Sequence, residues 1–372
     1  MIDWQYIESS ALNPYEETMR QTYQEARWHG EGSVWRHTEM VRKALVLLPG
    51  YRALSEQEQH VVYLAAMLHD IGKTVTTTII NDELHAPHHA PTGSRMARRM
   101  LWTEYGMSGL DEAMQIREAI CLLIRYHSFP VHAIDMPDAR LRLHRLAANG
   151  LLAPLFSIKL LCLLSRADMI GRTLDDLRES LDRIAYCEEL AREEGCYESA
   201  YAFPSAYTQH AYLSGRDVWR EQELYDDTWG EVILMSGLPG TGKDTWIARH
   251  AADIPMVSLD AIRREKHISP TADQGYVANI AREQAKEYLR SHQAFVWNAT
   301  NITAQMREAL VSLFETYHAR VRIVYLETAW QTLLLRNNAR TEAVPQSAIE
   351  KMLDKTVLPE PREAQTVEWI CV

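Results

Sequence analysis

The stretch Val232-Ile233-Leu234-Met235-Ser236-Gly237-Leu238-Pro239-Gly240-Thr241-Gly242-Lys243-Asp244-Thr245-Trp246 decides the fold of the last part of the chain. Its apolar start predicts a buried parallel strand, its glycine-rich centre predicts a turn, and its end permits a helix. Gly237, Gly242 and Lys243 fill the pattern G-x-x-x-x-G-K, in which backbone N–H groups and a lysine surround phosphate oxygens. A chance glycine-rich turn is the alternative interpretation. The common register of strand, loop, lysine and helix favours a nucleoside-triphosphate site.

We expect this loop to bind ATP with Mg²⁺ through residues that run without a gap from the turn into the helix: Gly237, Leu238, Pro239, Gly240, Thr241, Gly242, Lys243, Asp244 and Thr245. The pattern calls for Ser or Thr directly after the lysine, and Asp244 stands there instead. Our hypothesis is that Asp244 holds hydrated Mg²⁺ through water while Thr245 contacts a phosphate oxygen. The alternative is that Asp244 only favours the first turn of the helix.

Composition indicates a globular protein of two domains, since the chain has 372 residues, of which 47% are hydrophobic and 24% charged. The N-terminus lacks the features of a signal peptide, and the most apolar window, Leu151–Leu164, is too short to span a bilayer. We interpret that window as a buried helix and expect no membrane association. The five cysteines form no C-x-x-C pair, which predicts a cytoplasmic protein without a cysteine zinc site.

The formal net charge of -11 restricts the class of binding partner, and nearly all of the excess acid lies before residue 229. Proteins that bind long duplexes without sequence preference depend on many contacts between basic side chains and phosphates. An acidic chain therefore argues against a broad nucleic-acid groove. A few arginines suffice to hold the end of a strand, so a nucleic-acid terminus stays open as a substrate.

The first part of the chain predicts a series of helices, because apolar residues recur there at three- and four-residue steps. The clearest segments are Val34–Leu48, Val61–Leu68, Met96–Tyr105, Ala113–Ile124, Leu141–Leu152 and Leu155–Met169, followed by an acidic helix over 173–195. Thr74–Ile80 is predicted as either a short strand or an extended loop. The polar segment 215–230 is predicted as a linker or a connecting helix.

After residue 231 apolar strands alternate with helical segments, which predicts a parallel sheet flanked by helices. The predicted strands are Val232–Ser236, Met256–Leu259, Ala294–Trp297 and Val321–Leu326. The fold class is therefore multidomain, with an all-α domain over 1–214, a linker over 215–230 and an α/β P-loop domain over 231–372.

Histidine and aspartate residues in the helical part have side chains that suit a divalent metal. They are His37, His69, Asp70, His89, His127 and Asp168. Each one alone has an ordinary alternative, such as a core histidine with satisfied hydrogen bonds or a polar residue at the end of a helix. His69 and Asp70 stand together at the end of an apolar helix, and Gly72 then permits a turn.

The order H…HD…H…H…D resembles the HD superfamily of metal-dependent phosphohydrolases, over roughly residues 30–175. His89 is preferred over His85 and His88, because His89-Ala90-Pro91-Thr92-Gly93-Ser94 resembles a helix start of that family. The resemblance implies phosphoester hydrolysis, with Lys73 or His88 assisting. The mixed ligands suit Mn, Fe, Co, Ni or Zn better than Mg alone, and one or two ions are both compatible with the set.

Polar residues follow the predicted strands of the last domain. Asp260 follows the second strand, where a carboxylate is suited to act as the general base of phosphoryl transfer; capping of the next helix is the alternative. Thr300 and Asn301 follow the third strand at the same sheet edge, and we expect them to contact substrate. Arg336 and Arg340 stand four residues apart on a predicted helix and suit a lid that neutralises phosphoryl charge, with a solvated pair as the alternative.

These residues resemble the 5′-hydroxyl polynucleotide kinase family over most of residues 231–355. The resemblance is carried by Gly237–Trp246, by Asp260-x-x-Arg263, by Arg336 and Arg340, and by Ala343–Met352. It implies Asp260 as the general base and Arg263 as a contact to the acceptor phosphate. It also implies that Arg336 stabilises the transition state and that Arg340 helps to hold ATP, while the pattern itself gives Lys243 the role of supplying charge to the β- and γ-phosphates.

An HD domain followed by such a kinase resembles the bacterial HD-Pnk type of RNA end-healing enzyme. The resemblance implies removal of a 2′,3′-cyclic phosphate or a 2′- or 3′-phosphate by the first domain and phosphorylation of a 5′-OH end by the second. RNA ends, and also DNA ends, are then candidate substrates, and an RNA ligase is a candidate partner. Two alternatives stay open: an HD nucleotidase fused to a small-molecule or nucleotide kinase, and an ATP-gated switch without phosphoryl transfer.

Overall fold

The structure is a computed structural model that describes residues 2–173, 176–269, 272, 274–340 and 342–372. The chain divides into two compact units. The first consists of Met1–Met107 and Glu112–Tyr201, and the second consists of Ser108–Asp111 and Ala202–Val372. Within the described residues, every helix is too short or too polar to cross a lipid bilayer.

The first unit is helical apart from one short hairpin. Its helices are α1 (Trp4–Ser10), α2 (Glu16–Gln21), α3 (Val34–Leu47), α4 (Pro49–Arg52), α5 (Glu56–Leu68), α6 (Lys73–Thr76), α7 (His89–Thr103), α8 (Asp111–Tyr126), α9 (Phe129–His132), α10 (Ala139–Ala148), α11 (Ile158–Ile170) and α12 (Leu177–Glu193). The hairpin pairs β1 (Thr78–Ile80) with β2 (Glu83–His85) in antiparallel register. The segment 74–80, for which strand and loop were both open, therefore ends α6 and then forms β1.

Local capping fixes where the principal helices begin. Ser33 caps α3 through its hydroxyl, and Ser55 forms a reciprocal capping box with Glu58 at the start of α5. Such caps satisfy N–H groups that have no partner within the helix. Ser157 caps α11 in the same way. The apolar window predicted as one buried helix thus begins its α-helix only at Ile158.

α11 forms the centre of the first unit, because it packs against α3, α5, α10 and α12. Nearly all of its side chains are buried, including Leu160, Leu161 and Leu164. This arrangement explains why its sequence is apolar on all sides rather than on one stripe. It also places the end of α11, with Asp168, among the helices that carry the histidines.

Gly72 allows the turn after α5 to approach α7 closely. A Cβ atom at this position would lie 2.0 Å from the carbonyl oxygen of His89 and 2.6 Å from the amide nitrogen of Gly93. Any side chain would therefore push apart two backbone segments that carry site residues.

We expect Gly72→Ala to destabilise the first unit by at least about 1–3 kcal/mol, the usual cost of overpacking, because backbone cannot yield as a side chain can. The measurement is thermal unfolding followed by calorimetry. Gly230→Ala is the matched control, since a Cβ at Gly230 meets open space. An unchanged first-unit transition in Gly72→Ala would contradict the close approach.

The second unit contains a five-stranded parallel sheet with helices on both faces. Its strands are β3 (Glu231–Ser236), β4 (Met256–Ser258), β5 (Val296–Asn298), β6 (Arg320–Glu327) and β7 (Thr366–Cys371), and its helices are α13 (Ala206–Ser214), α14 (Lys243–His250), α15 (Leu259–Glu265), α16 (Gln274–Arg290), α17 (Ala304–Thr316), α18 (Trp330–Asn338) and α19 (Gln346–Leu353). The strand order is β4-β5-β3-β6-β7, and every neighbouring pair is parallel. The prediction of an α-helical domain followed by an α/β domain is confirmed.

The sequence analysis missed the fifth strand, β7. This strand pairs with β6 over its whole length but lies at the sheet edge and is mostly half-buried. It therefore lacks the continuous apolar run that identifies a central parallel strand. The central strand β3, in contrast, alternates between two cores, since Val232 and Leu234 face one helical layer while Ile233 and Met235 face the other.

The predicted boundary at residue 214 differs from the observed one, which lies between Tyr201 and Ala202. α13 belongs to the second unit and is held there by a hydrogen bond to α17. The Nε2 atom of His210 lies 2.5 Å from Oε1 of Glu315 on α17.

The predicted linker, 215–230, contains neither helix nor strand and is tied to the second unit. The amide of Leu224 donates to the hydroxyl oxygen of Thr208 on α13 at 3.0 Å. The indole N–H of Trp229 donates to the carbonyl of Tyr317 at 2.7 Å. These bonds make the segment part of the second unit's surface rather than a free connection.

Candidate functional site

Each unit carries its own candidate site. In the first unit the structure brings together all six predicted metal ligands from five separate elements. They are His37 on α3, His69 and Asp70 directly after α5, His89 at the start of α7, His127 directly after α8 and Asp168 near the end of α11. All except the half-buried His89 are buried.

The ligand atoms of this cluster lie at short distances around the carboxylate of Asp70. Oδ2 of Asp70 lies 3.2 Å from Nε2 of His69 and 3.6 Å from Nε2 of His37. Oδ1 of Asp70 lies 3.4 Å from Nε2 of His89. Oδ1 of Asp168 lies 3.0 Å from Nε2 of His37.

Two groups of potential ligands share Asp70. One consists of His37, His69 and Asp70, and the other of Asp70, His89 and His127, with the ligand atoms of each group within 4.8 Å of one another. A shared carboxylate gives the cluster the capacity to hold two ions as well as one.

Hydrogen bonds from Nδ1 orient three of the four imidazole rings of the cluster. Nδ1 of His69, of His89 and of His127 each bonds a backbone carbonyl three residues earlier, on Ala66, Ala86 and Ile124, at 2.9, 2.9 and 2.8 Å. Such bonds fix the ring and its tautomer, so that Nε2 is free to bind a metal.

The electrostatics favour ionised carboxylates. Burial by itself would raise the pKa of Asp70, but His69 and Lys73 outweigh it and hold that pKa well below its usual range. Burial would also raise the pKa of Asp168, but Arg172 and His37 outweigh this effect and hold that pKa well below its usual range. Ionised carboxylates are the form that binds metal.

The electrostatics also favour neutral imidazoles at two positions. Burial lowers the pKa of His127 to about 3, and the neighbouring His69 contributes to the shift. Burial likewise lowers the pKa of His89, against the opposing effect of Asp70. A neutral imidazole is the form that donates a lone pair to a metal.

The residues present fit a divalent metal. Oδ1 of Asp70 and Nε2 of His89 are buried and have no well-aligned hydrogen-bond partner among the described residues, whereas Oδ2 of Asp70 lies 2.8 Å from the ammonium of Lys73. Buried polar atoms without partners are costly, and a bound cation removes that cost. A mixed set of imidazole and carboxylate ligands is typical of sites for divalent transition metals.

Lys73, a predicted catalytic residue, lies beside this cluster. Its Nζ atom is 2.8 Å from Oδ2 of Asp70 and donates to Oε1 of Gln24 at 2.6 Å. His88, the other candidate for this role, is exposed in a left-handed conformation just before α7.

The sequence analysis missed several polar residues that support the ligands. Arg172 pairs with Asp168, with Nη2 at 2.6 Å from Oδ2. Glu31 and His29 lie behind His37. The four-residue spacing of Asp168 on α11 and Arg172 just after it was a signal for the first pair, whereas Glu31 precedes α3 in a segment without periodicity.

In the second unit the predicted phosphate loop connects β3 to α14. Gly237 has φ +138, and a Cβ there would lie 2.4 Å from the carbonyl oxygen of Leu326, so glycine is required. Lys243 is the first residue of α14, and its Nζ donates to the carbonyls of Gly237 and Leu238 at 2.9 and 2.8 Å. The backbone thus holds the lysine across the loop.

Asp244 is exposed in the first turn of α14, and its Oδ1 accepts a bond of 2.7 Å from the side-chain amide of Asn298 at the end of β5. Both side chains therefore lie at the carboxyl edge of the sheet. In open α/β folds this is the edge where ligands bind.

A cavity of about 420 Å³ lies beside this loop. Its polar lining comes from Asp244, Ser258, Asp260, Arg264 and Arg340, and small or apolar side chains of α14, of β4 and of the segment between them form the remaining wall. The cavity thus places two carboxylates and two arginines beside the first turn of α14, which follows the predicted ATP-binding loop.

Asp260 does not cap α15. The helix starts at Leu259, and the hydroxyl of Ser258 accepts the bond from the amide of Ala261, so Ser258 is the cap. Asp260 instead pairs with Arg263, with Nη1 at 2.6 Å from Oδ1. The capping alternative for Asp260 is therefore excluded.

Arg263 and Arg264 have different surroundings. Arg263, expected to contact an acceptor phosphate, has a half-buried guanidinium that is engaged with Asp260. Arg264 is exposed and lines the cavity. Sequence analysis did not single out Arg264, although it stands in the same short helix.

Arg336 and Arg340 do not share one helix face, because α18 ends at Asn338. Arg340 nevertheless lines the cavity. Nη1 of Arg336 lies 3.4 Å from the position that a Cβ on Gly242 would occupy. Arg336 therefore reaches the loop from the last turn of α18, whereas Arg340 lies beyond the helix and faces the cavity.

Thr300 and Asn301, expected to contact substrate, are used in the fold of the second unit. The carbonyl of Thr300 accepts from the amide of Gly237 at 2.8 Å. The buried side-chain amide of Asn301 donates to the carbonyl of Met235 at 2.8 Å. These two bonds connect the segment after β5 to β3 and to the first residue of the phosphate loop.

The charge on Lys243 gives a test of the loop that does not depend on catalysis. Burial lowers the pKa of Lys243 to about 8, although Asp244 and Asp260 act in the opposite sense. At about pH 8.5 the free protein therefore carries mostly neutral amine. A bound triphosphate favours the ammonium form, so we expect binding of MgATP to take up about 0.8 proton at that pH. The measurement is calorimetry in two buffers of different ionisation enthalpy.

The sign of the shift makes this uptake depend on pH. Near about pH 7 Lys243 is already protonated, so uptake there should fall to about 0.1 proton. Uptake that is the same at both pH values, or absent at the higher one, would contradict the assignment of Lys243 as the phosphate-binding lysine.

Two family models match separate parts of the chain. A family model for the HD domain matches residues 34–168, and a family model for the AAA domain matches residues 232–359. Each covers about a third of the chain.

Individual relatives match parts of the chain at low identity. The chain is 28% identical over 148 residues to heterogeneous nuclear ribonucleoprotein U-like protein 2 of Mus musculus. The matched region is 35% of this chain and 20% of that protein. It is 23% identical over 135 residues to L-seryl-tRNA(Sec) kinase of Methanococcus maripaludis. Here the matched region is 34% of this chain and 53% of the relative. The chain thus spans about a fifth of the first relative and about half of the second.

A crystal structure of a proposed kinase from Chloroflexus aurantiacus is 15% identical, covers 39% of this chain and 86% of that chain, and has a TM-score of 0.33. The chain thus combines a region that matches the HD domain with a region that matches the AAA domain and carries the phosphate loop.

Proposed function

We propose that this protein is a bifunctional nucleic-acid end-healing enzyme. The HD domain hydrolyses 2′,3′-cyclic phosphate or 2′/3′-phosphate ends, and the P-loop domain transfers the γ-phosphate of ATP to a 5′-OH end. RNA ends are the proposed principal substrate, with DNA as an alternative acceptor. The products would suit an RNA ligase in the cytoplasm.

The observation that carries the proposal is the cavity beside the phosphate loop. Asp260 lines it together with Arg264 and Arg340. A carboxylate serves as the base for a hydroxyl acceptor, and a cationic side chain serves a phosphate next to that hydroxyl. A terminal nucleotide offers both groups, whereas a neutral small molecule offers only the hydroxyl.

The kinase step follows from this arrangement. Asp260 takes the proton of the 5′-OH as the new O–P bond forms and the bond between the γ-phosphorus and its bridging oxygen breaks. ADP leaves with the electron pair of that bond. Lys243 and Arg336 stabilise the charge on the phosphoryl oxygens during transfer. Arg263 holds Asp260 in place through the bond of 2.6 Å.

The hydrolytic step is assigned to the cluster around Asp70. His37, His69, Asp70, His89, His127 and Asp168 are the proposed ligands of one or two divalent ions such as Mn²⁺. An ion held there would acidify water and clamp phosphate oxygens. Lys73 and Arg172 balance the charge of the two ligand carboxylates and keep them ionised.

Relatives give limited support for an RNA substrate. One is by name a ribonucleoprotein and another is by name a kinase of an aminoacyl-tRNA. Both names concern RNA, although each relative is matched over about a third of this chain.

The test is incubation with labelled ATP and three acceptors: a 5′-OH RNA oligonucleotide, the same oligonucleotide with a 5′-phosphate, and a free nucleoside. We expect label on the first acceptor only. Label on the free nucleoside at equal efficiency would favour a nucleotide-pool kinase. ATP binding without transfer to any acceptor would favour an ATP-gated switch.

The role of Asp244 has a separate test. If Asp244 holds hydrated Mg²⁺ through water, Asp244→Ala should raise the magnesium requirement of the kinase several-fold, by the loss of one carboxylate contact. Excess Mg²⁺ should then restore part of the rate, and Asp244→Ser should keep substantial activity. An unchanged magnesium titration in folded Asp244→Ala would leave only the helix-end role, worth about 0.3–1 kcal/mol.

A further inference from the structure

A buried carboxylate lies behind the proposed metal ligand His37. Glu31 precedes α3, and only 1% of its side chain is exposed. Oε1 of Glu31 lies 2.9 Å from Nδ1 of His37 and 2.8 Å from Nδ1 of His29. Its Oε2 accepts a bond of 2.9 Å from the amide of Thr173. Both carboxylate oxygens are therefore engaged with protein donors.

His37 differs from the other three histidines of the cluster in how its ring is held. Those three bond through Nδ1 to a backbone carbonyl of their own turn. Nδ1 of His37 lies 3.3 Å from the carbonyl of Gly171 but 2.9 Å from the carboxylate of Glu31. A carboxylate behind a ligand imidazole orients the ring and raises the basicity of its other nitrogen.

The contacts of Glu31 also join two elements that carry ligands. His37 belongs to α3, while Thr173 follows the turn at the end of α11, which holds Asp168. Nε2 of His37 and Oδ1 of Asp168 are 3.0 Å apart. Movement of Glu31 would therefore change the distance between two ligands, not only the direction of one ring.

We propose that Glu31 is a positioning residue of the HD site, which holds His37 with Nε2 directed at Asp70 and Asp168 and fixes the spacing of α3 and the end of α11. His29 completes the support from the other side: its Nε2 lies 3.4 Å from Nζ of Lys73. This inference rests on the proposed metal-binding role of the cluster.

The test is Mn²⁺ binding to the full-length protein, measured by the disappearance of the free-ion signal in electron paramagnetic resonance. We expect Glu31→Gln to weaken Mn²⁺ affinity by about 10–100-fold, the usual effect of removing a residue behind a ligand. Excess Mn²⁺ should restore part of the hydrolytic rate. The visible spectrum of the Co²⁺-loaded protein should also change, because that spectrum depends on how His37 is placed around the ion.

Glu39→Gln is the matched control, because Glu39 is an exposed acid on the same helix as His37. Glu31→Asp keeps the charge and serves as the second variant if Glu31→Gln fails to fold. Its Mn²⁺ affinity should be weaker than that of the parent and of Glu39→Gln, but stronger than that of a variant that lacks a ligand. Mn²⁺ affinity equal to that of the parent in folded Glu31→Gln overturns the role of Glu31 but not the metal site. If Glu31→Gln does not fold, the same result in Glu31→Asp has this consequence. Absence of Mn²⁺ binding in the parent protein overturns the metal site and this inference together.

Discussion

Replacement of His69 or Asp70 by alanine is expected to abolish release of phosphate from 2′,3′-cyclic or monophosphate ends. Asp70 is shared by both groups of potential ligands, and His69 lies 3.2 Å from it. Loss of a residue that only supports a ligand already costs about 10–100-fold, so loss of a ligand should cost more than about 100-fold. The measurement is the initial rate of phosphate release at saturating metal.

The two activities should separate in these variants, because the HD site and the phosphate loop are built within different units. We expect the 5′-kinase rate of His69→Ala and Asp70→Ala to stay within about a few-fold of the parent rate. His60→Ala is a suitable control, since His60 is a half-buried residue of α5 that pairs with Glu8. Loss of both activities in a folded variant would refute independent sites.

Replacement of Asp260 by alanine should reduce phosphorylation of a 5′-OH end by about 10²–10⁴-fold, the range that general base catalysis contributes. Binding of ATP should change little, because the loop and Lys243 are bonded independently of Asp260. Turnover and the dissociation constant of ATP are the two quantities to measure. An equal loss in both would indicate that Asp260 is structural or binds a metal.

The neighbours of Asp260 refine this experiment. Asp253→Ala is the matched control, since Asp253 is an exposed acid of the same unit. Arg264 lines the cavity and Arg263 is engaged with Asp260. We therefore expect Arg264→Ala to raise the KM of the acceptor, whereas Arg263→Ala lowers turnover. The opposite pattern would restore Arg263 as the acceptor contact.

The phosphate loop was predictable from sequence because its chemistry is local. Gly237, Gly242 and Lys243 lie within seven consecutive residues, and their spacing alone positions backbone N–H groups and an amine. The structure confirms strand, loop and helix at these positions. Asn301 was not predictable in the same way, because its side chain turns toward Met235 on a neighbouring strand and so supports the loop.

The arginines show where spacing misleads. Arg336 and Arg340 were predicted on one helical face, but α18 ends before Arg340. Arg336 on α18 nevertheless lies near Gly242 of the loop, and Arg340, which follows the helix, lines the cavity. The edge strand β7 was missed for a related reason: pairing with β6 defines it, and its own pattern does not.

The sequence by itself determined the two domain types, the phosphate loop and the identity of six potential metal ligands, because each rests on short patterns of residue type. Only the tertiary structure decided that those six form one cluster, that Glu31 and Arg172 contact His37 and Asp168 in it, and that Asp260 shares a cavity with Arg264. The physical reason is that these contacts join elements far apart in the chain. Their distances are set by how buried helices and strands pack, which no local pattern of residues encodes.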